Sequence, residues 1–268
     1  MNLSHLRHAT ALALKKAVYA RRGEPYSIKG TTLRFTPGTR PVRLKYINSP
    51  NDSVRYDALQ VSFLTEGLKE GDTAIDIGAH SGQYSLLMAA FCGHSGRVIS
   101  FEPDPYAREA FLRNVSLNPE LRAPLLEPLA VSDHSGTATL FSRGGNSQSS
   151  LARSAVEFSD SAPAEQISVR LVALDSYIDE MNVPEPRWVK IDAEGAEIRI
   201  LQGAERLLTT GAGIICELHP YAWAEFGTTV GDLHRVVAAC GRRIRYLDSA
   251  HELRGDPHYG TVILERVP

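Results

Sequence analysis

Between Gly71 and Pro103 the chain reads GDTAIDIGAHSGQYSLLMAAFCGHSGRVISFEP, and this stretch leaves few folds open. Thr73 to Ile77 is a short apolar run enclosing one acid, Asp76, and it ends on the turn Gly78-Ala79-His80-Ser81-Gly82. Glycines there let the backbone bend tightly and let a ligand approach it closely. Tyr84, Leu86, Leu87, Ala90 and Phe91 recur at helical spacing, and Gly93 with Gly96 closes that helix. Val98 to Phe101 is a second apolar strand, with Glu102 just past its carboxyl end. Strand, glycine turn, helix and strand make a parallel β-α-β unit. In such sheets ligands bind beyond the carboxyl ends of the strands.

The glycine spacing discriminates between ligands. A dinucleotide site has G-x-G-x-x-G, with a pyrophosphate on the helix N-terminus. Here the order is D-x-G-x-x-x-G, and Asp76 stands where a phosphate-binding loop avoids negative charge. A carboxylate suits a ligand carrying an ammonium and a positive sulfur instead of phosphates, which points to S-adenosyl-L-methionine as the cofactor. Glu102 is placed to accept hydrogen bonds from ribose hydroxyls, the role of an acid about 20 residues past the glycine turn in dinucleotide sites.

The remaining chain extends the same alternation. At 268 residues, 43% hydrophobic and 22% charged, it can bury one substantial core. We expect an N-terminal helical and β extension over 1–55 and a Rossmann-like domain over 56–268, the latter holding a polar, lid-like insertion at 143–166. Leu3 to Arg22 reads as a helix that packs on this domain or on a second subunit of a homo-oligomer. Ile28 to Tyr46 is β-like, with turns at Lys29-Gly30 and Pro37-Gly38, and Tyr56 to Leu68 is a helix. After Glu102 come a helix over Tyr106–Leu117, a third strand over Leu125–Val131 and a strand from Gly136 to Leu140. Beyond the insertion, Ile167–Val172 is β, Leu174–Met181 helical and Trp188–Asp192 the fourth strand. Ala196–Leu208 reads as one helix, Ile214–Leu218 as the fifth strand and Val230–Cys240 as a helix. Arg245–Leu247 and Thr261–Val267 are the last strands. The pattern calls for a mostly parallel sheet covered by helices on both faces.

Composition narrows the function classes. A net charge of −2 gives no general attraction to nucleic acid. Cys92, Cys216 and Cys240 are scattered through apolar segments, which suits reduced core thiols in a cytoplasmic protein. No apolar run approaches the roughly 18 residues of a transmembrane helix.

Four candidate catalytic residues, Asp192, Glu194, Glu217 and His219, fall at or just beyond the ends of the fourth and fifth strands, beside the ligand crevice. Methyl transfer from a sulfonium is an in-line displacement, so catalysis is mostly positioning, helped by a base that takes the acceptor's proton. His219 is the expected base, because imidazole titrates near neutral pH. Asp192 is expected to contact acceptor or donor. An alternative use of Asp192, Glu217 and His219 is to bind a divalent cation, magnesium or manganese. Glu197 opens a helix, where the backbone dipole favours a carboxylate. Lys190, on a strand covered on both sides, needs a carboxylate partner or must run its stem out to water.

Asp76-Ile77-Gly78-Ala79 with Gly82, Phe101-Glu102-Pro103, and Val189-Lys190-Ile191-Asp192-Ala193-Glu194-Gly195-Ala196-Glu197 followed by Leu201, Gly203 and Ala204 together resemble the FkbM family of methyltransferases, from about Tyr56 onward. The resemblance implies a class I methyltransferase fold with a seven-stranded sheet whose last strand is antiparallel. It also implies O-methylation of a hydroxyl on a sugar, glycan or secondary metabolite. By position, Asp76, Gly78 and Gly82 would line the methionine end of the donor, Glu102 its ribose, and Ser132 with Asp133 its adenine. His80 stands where such families commonly have Asn, and would take that donor contact. N-methylation of a small amine, or a donor-binding subunit without catalysis, are the competing readings.

Overall fold

The computed structural model describes residues 18–144, 149–156 and 164–267. The expected Leu3–Arg22 helix therefore lies largely outside the described residues. The chain opens with a hairpin, β1 (Glu24–Ile28) and β2 (Thr31–Phe35). Its turn residues Lys29 and Gly30 both have positive φ, 43° and 86°, as a tight two-residue hairpin requires. Helix α1 (Asp52–Gly67) follows, capped by the Asn51 side chain on the Val54 N–H.

The β-α-β unit then appears where the sequence placed it: β3 (Thr73–Ile77), α2 (Gln83–Cys92), β4 (Arg97–Phe101) and α3 (Pro105–Ser116). Beyond it run β5 (Leu125–Glu127), β6 (Leu129–Ser132), β7 (Gly136–Ser142), α4 (Arg153–Val156), β8 (Glu165–Ala173) and α5 (Leu174–Glu180). The chain continues through β9 (Trp188–Ile191), α6 (Glu197–Gln202), α7 (Glu205–Leu208), β10 (Gly213–Leu218), α8 (Val230–Ala239), β11 (Arg242–Tyr246) and β12 (Gly260–Arg266).

Seven strands form the main sheet in the order β11-β12-β10-β9-β3-β4-β5. β12 is antiparallel to both its neighbours, and the pairs β10–β9, β9–β3, β3–β4 and β4–β5 are parallel. The chain builds outward from β3 in both directions, so strand order reverses between β3 and β9. A crevice opens there. Alternate strand residues feed two cores. Ile75, Ile99, Val189 and Ile214 cluster with Ile198, Leu201, Leu233 and Val237. Ala74, Val98, Trp188 and Ile215 cluster with Val61, Leu64, Leu86 and Leu87, and with Tyr26, Leu33 and Phe35 of the hairpin.

Three elements differ from expectation. The β structure expected from Ile28 to Tyr46 is confined to the hairpin of β1 and β2, and Pro37, Gly38 and Pro41 break it before a 3-10 turn at Leu44–Tyr46. The single third strand expected over Leu125–Val131 divides at Pro128, which has no N–H for a ladder. β5 joins the main sheet, whereas β6 joins a second sheet of order β6-β8-β7. The single helix expected over Ala196–Leu208 also divides, at Gly203-Ala204. A Cβ on Gly203 would fall 2.1 Å from the Ser132 carbonyl oxygen, and the Gly203 carbonyl accepts the Asp175 N–H at 2.9 Å. The Asp175 carboxylate in turn caps the new helix start through the N–H groups of Arg206 (2.8 Å) and Leu207 (3.0 Å). Among the described residues no helix is long and apolar enough to cross a membrane, and Cys92, Cys216 and Cys240 are buried and unpaired.

Candidate active site

The crevice lies over the carboxyl ends of β3, β4 and β9. Its floor is the loop after β3. Gly78 has φ 77°, and a Cβ there would fall 1.7 Å from the Asp192 carbonyl oxygen. Only glycine lets this loop pass so close to the end of β9. His80 also has positive φ, 47°, and its N–H donates to Oε2 of Glu102 at 2.7 Å. Oε1 of Glu102 accepts the Asp104 N–H at 2.8 Å. Burial pushes the Glu102 carboxyl up to about 7, against the pull of these two backbone donors.

Gly78, His80 and Glu102 line the crevice as expected, whereas Asp76, Gly82, Ser132 and Asp133 are not among its lining residues. Asp76 is 1% exposed, its Oδ2 accepts the Ser85 hydroxyl at 2.5 Å, and its buried Oδ1 has no hydrogen-bond partner. Gly82 ends the loop as the N-cap of α2. Asp133 is committed elsewhere, with Arg199 at 2.7 Å and His134 at 2.7 Å. Burial raises its carboxyl, but those hydrogen bonds outweigh burial and bring it down to about 2. The wall assigned to Ser132 and Asp133 is formed instead by Leu129, Ala130 and Val131 of the same strand, an apolar surface suited to a base.

Sequence reasoning missed Asp104, Ser149 and Leu151, which also line the crevice. Asp104 is fully buried; its Oδ2 accepts the hydroxyls of Ser142 (2.6 Å) and Ser149 (2.7 Å). Ser150, next along, donates to the Glu194 carbonyl at 2.7 Å. The described part of the insertion therefore ties the end of β4 to the loop after β9. The Asp-Pro helix start after Glu102 was a readable sign of Asp104 as an N-cap.

The structure brings all four candidate catalytic residues together. Lys190 and Asp192 leave β9 on the crevice side, and Nζ of Lys190 lies 3.0 Å from Oδ2 of Asp192 and 4.7 Å above the Tyr84 ring. Burial would lower the Lys190 ammonium, but Asp192, Asp76 and Glu217 hold it above its ordinary value. Burial would raise Asp192, but Lys190 and then His219 hold it below the usual carboxylate range. Glu194 has a positive φ of 48°, strained for a non-glycine residue, and lines the crevice beside Asp192.

His219 sits among carboxylates. Its Nδ1 is 2.9 Å from Oε1 of Glu197, and its Nε2 is 3.5 Å from Oε2 of Glu194 and 4.0 Å from Oε1 of Glu217. Burial would lower its pKa; Glu197, Glu194 and Asp192 outweigh that and push it up to about 10. The imidazole therefore carries its proton at neutral pH. Glu194 and Glu217 are each pushed up to about 7, chiefly by burial. Tyr221 donates to Oε2 of Glu194 at 3.2 Å, and the Tyr259 hydroxyl makes a short bond to Oε1 of Glu217. Ligand atoms of Asp192, Glu194 and His219 lie within 4.8 Å of one another.

Residues 76–244 fit the model of the methyltransferase FkbM domain. The chain belongs to the FkbM methyltransferase family. As an FkbM member it is an S-adenosylmethionine-dependent methyltransferase. It is 26% identical over 196 residues, 72% of each chain, to the hexuronic acid methyltransferase AglP of Haloferax volcanii. Among solved structures it is similar to the methyltransferase FkbM of Methylobacillus flagellatus, with 13% identity and a TM-score of 0.48 over 79% of this chain. The match spans 52% of that protein, about half its length. An S-adenosylmethionine-dependent O-methyltransferase of Thermotoga maritima is similar at 14% identity and a TM-score of 0.45, covering 94% of this chain and 81% of that one.

Proposed function

We propose that this FkbM protein moves a methyl group to a hydroxyl of a sugar, glycan or secondary metabolite, with Glu194 as the general base. The observation that carries this reading is the place of Glu194, a carboxylate held on strained backbone at the crevice wall beside Asp192. The donor residues fit the cofactor. Glu102 faces the crevice with lone pairs left for ribose hydroxyls, the loop from Gly78 to His80 admits the methionine end, and Leu129 with Ala130 walls the adenine. S-adenosylmethionine supplies an electrophilic methyl on a sulfonium.

The protein's part is to align an oxygen in line with that methyl and to remove its proton. His219 was the expected base, but a group already protonated at neutral pH cannot accept a proton. That role passes to Glu194, pushed to about 7 and so poised near working pH. Asp192, held ionised by Lys190, accepts a hydrogen bond from the acceptor. The His219 imidazolium balances Glu194 and Glu217 as the proton arrives.

The hexuronic acid activity of AglP supports a sugar as acceptor. The test is calorimetry with S-adenosylmethionine, followed by incubation with isotope-labelled donor and a host metabolite extract and mass spectrometry of labelled products. No donor binding at millimolar concentration overturns the methyltransferase reading. Labelled amines in place of ethers move it to N-methylation, and binding without any labelled product leaves a non-catalytic donor-binding subunit. Glu194→Gln should bind donor normally and lose most turnover.

A second reading uses the proximity of Asp192, Glu194 and His219. A magnesium or manganese ion held there would lower the pKa of the acceptor hydroxyl, once the imidazole had given up its proton. Full turnover after exhaustive chelation ends that reading.

A further inference from the structure

The acid cluster has two aromatic sides that the donor does not need. Tyr221 and Tyr259 are 49% and 44% exposed, unusually open for residues whose hydroxyls are bonded to Glu194 and Glu217. They flank the buried His219 ring, with centroids 5.8 Å away for Tyr221 and 5.4 Å for Tyr259. Each tyrosine is thus half-exposed at the edge of the acids, beyond the residues that line the crevice, while its hydroxyl anchors the ring against rotation. Flat apolar faces beside acceptor-only oxygens match the two surfaces of a pyranose, its C–H face and its rim of hydroxyl donors.

Charge narrows the class further. Asp192, Glu194, Glu197 and Glu217 surround Lys190 and His219, four carboxylates against two cations. Asp57 adds a further carboxyl on the far side of Tyr84, whose hydroxyl donates to it at 3.2 Å. With Glu194 and Glu217 both pushed up to about 7, the donor's one net positive charge brings the set close to neutral and adds no cation beyond Lys190 and His219. An acceptor carboxylate would lie against carboxylates whose cations, Lys190 and His219, are already bonded to Asp192 and Glu197. An ammonium or an uncharged hydroxyl meets acceptors on every side.

We propose that Tyr221 and Tyr259 form the acceptor platform of this FkbM enzyme and that it takes a neutral or amine-bearing sugar ring and disfavours a uronic acid. The proposal rests on the methyltransferase reading and separates this chain from AglP in the charge of the sugar it accepts. The two tyrosines set specificity, and neither exchanges a proton with the acceptor.

The test is saturation-transfer NMR on the full chain loaded with S-adenosylhomocysteine, using methyl glycosides of gluco, galacto and manno configuration in neutral, 2-amino and uronic acid forms. Ring-proton signals are expected from neutral or amino glycosides at millimolar concentration, at least threefold stronger than from the matching uronides. Tyr221→Ala and Tyr259→Ala should each lose most of that signal, whereas Tyr221→Phe and Tyr259→Phe, which keep the ring, should hold at least half. Equal or stronger uronide signals, no glycoside signal, or signals that survive both alanine variants overturn the proposal. Calorimetry with S-adenosylmethionine on the same samples separates the cases. Failed donor binding in the wild-type protein sinks the methyltransferase reading itself, and intact donor binding without glycoside signal sinks the platform alone.

Discussion

Nδ1 of His219 lies 2.9 Å from Oε1 of Glu197, a carboxylate with no exposed surface. The same carboxylate accepts the Gly195 N–H at 2.8 Å and the Trp223 indole N–H at 2.7 Å. Glu197 therefore fixes the ring of His219, the loop that carries Glu194 and the turn after β10 in one network. Glu197→Gln keeps the volume but gives up the charge that holds the imidazole protonated. A lost charge-assisted bond is worth about 1.5–3 kcal/mol, which is about a tenfold to hundredfold fall in turnover if felt fully in the transition state. Donor affinity by calorimetry should stay within about twofold of wild type, since no donor residue touches this network.

The titration of His219 should show in stability. Its folded pKa of about 10 lies above the ordinary 6.5, so the native state holds this proton more tightly than the unfolded chain does. The stabilisation is complete below about 6.5 and is lost as pH rises through about 10. Thermal melts of the donor-free protein from pH 6 to pH 10.5 should show a falling midpoint across that window. His219→Gln should flatten the slope. A wild-type midpoint that stays level across the window would show that the imidazole does not keep its proton.

Much of the fold was legible because its signals are local. The apolar runs at Thr73 and Val98, the glycine turn between them, Asp76 within the first strand and Glu102 after the second name the β-α-β unit without reference to anything distant. The division of Ala196–Leu208 was not legible, since it comes from the Ser132 carbonyl pressing on Gly203 from a strand about 70 residues away in sequence. The candidate site shows the same split. Glu102, Glu194, Glu217 and His219 follow from strand ends, but the protonation of His219 depends on three carboxylates converging from the loop after β9 and from α6. Spacing said that Glu197 opens a helix; only packing turned it toward His219. Asp133 lies outside the crevice lining for a similar reason, because its partner Arg199 comes from α6.

Lys190 gives a further prediction about charge balance. Its ammonium is 1% exposed and bonds Asp192 while standing near Asp76 and Glu217. Lys190→Met removes the counter-charge and leaves buried Asp76 and half-buried Asp192 without it. Breaking a buried pair from one side typically costs about 3–5 kcal/mol. Denaturant unfolding should show a loss of that size. Lys190→Met combined with Asp192→Asn should recover part of it, because the carboxylate left stranded is then gone. If the double variant is no more stable than the single one, the pair is not the source of the loss.

Asn114 links the N-terminal hairpin to the donor loop, and its neighbour Asn118 provides a control. Oδ1 of Asn114 accepts the N–H of Thr36 at 2.7 Å and its hydroxyl at 2.8 Å, while Nδ2 donates to the Ser81 carbonyl at 2.8 Å. Asn118 touches the hairpin and α3 but not the loop: Oδ1 accepts the Arg34 N–H at 2.8 Å, and Nδ2 donates to the carbonyls of Arg34 (2.7 Å) and Asn114 (2.8 Å). Both are buried, so either change to alanine leaves buried polar groups unmet and should cost about 1–3 kcal/mol. The two should part in function. Asn114→Ala frees the Ser81 carbonyl in the loop that floors the crevice and should weaken S-adenosylmethionine binding several-fold by calorimetry. Asn118→Ala should lower stability by a similar amount and leave donor affinity unchanged. Equal donor affinities in the two variants would mean that the hairpin supports the fold without shaping the donor loop.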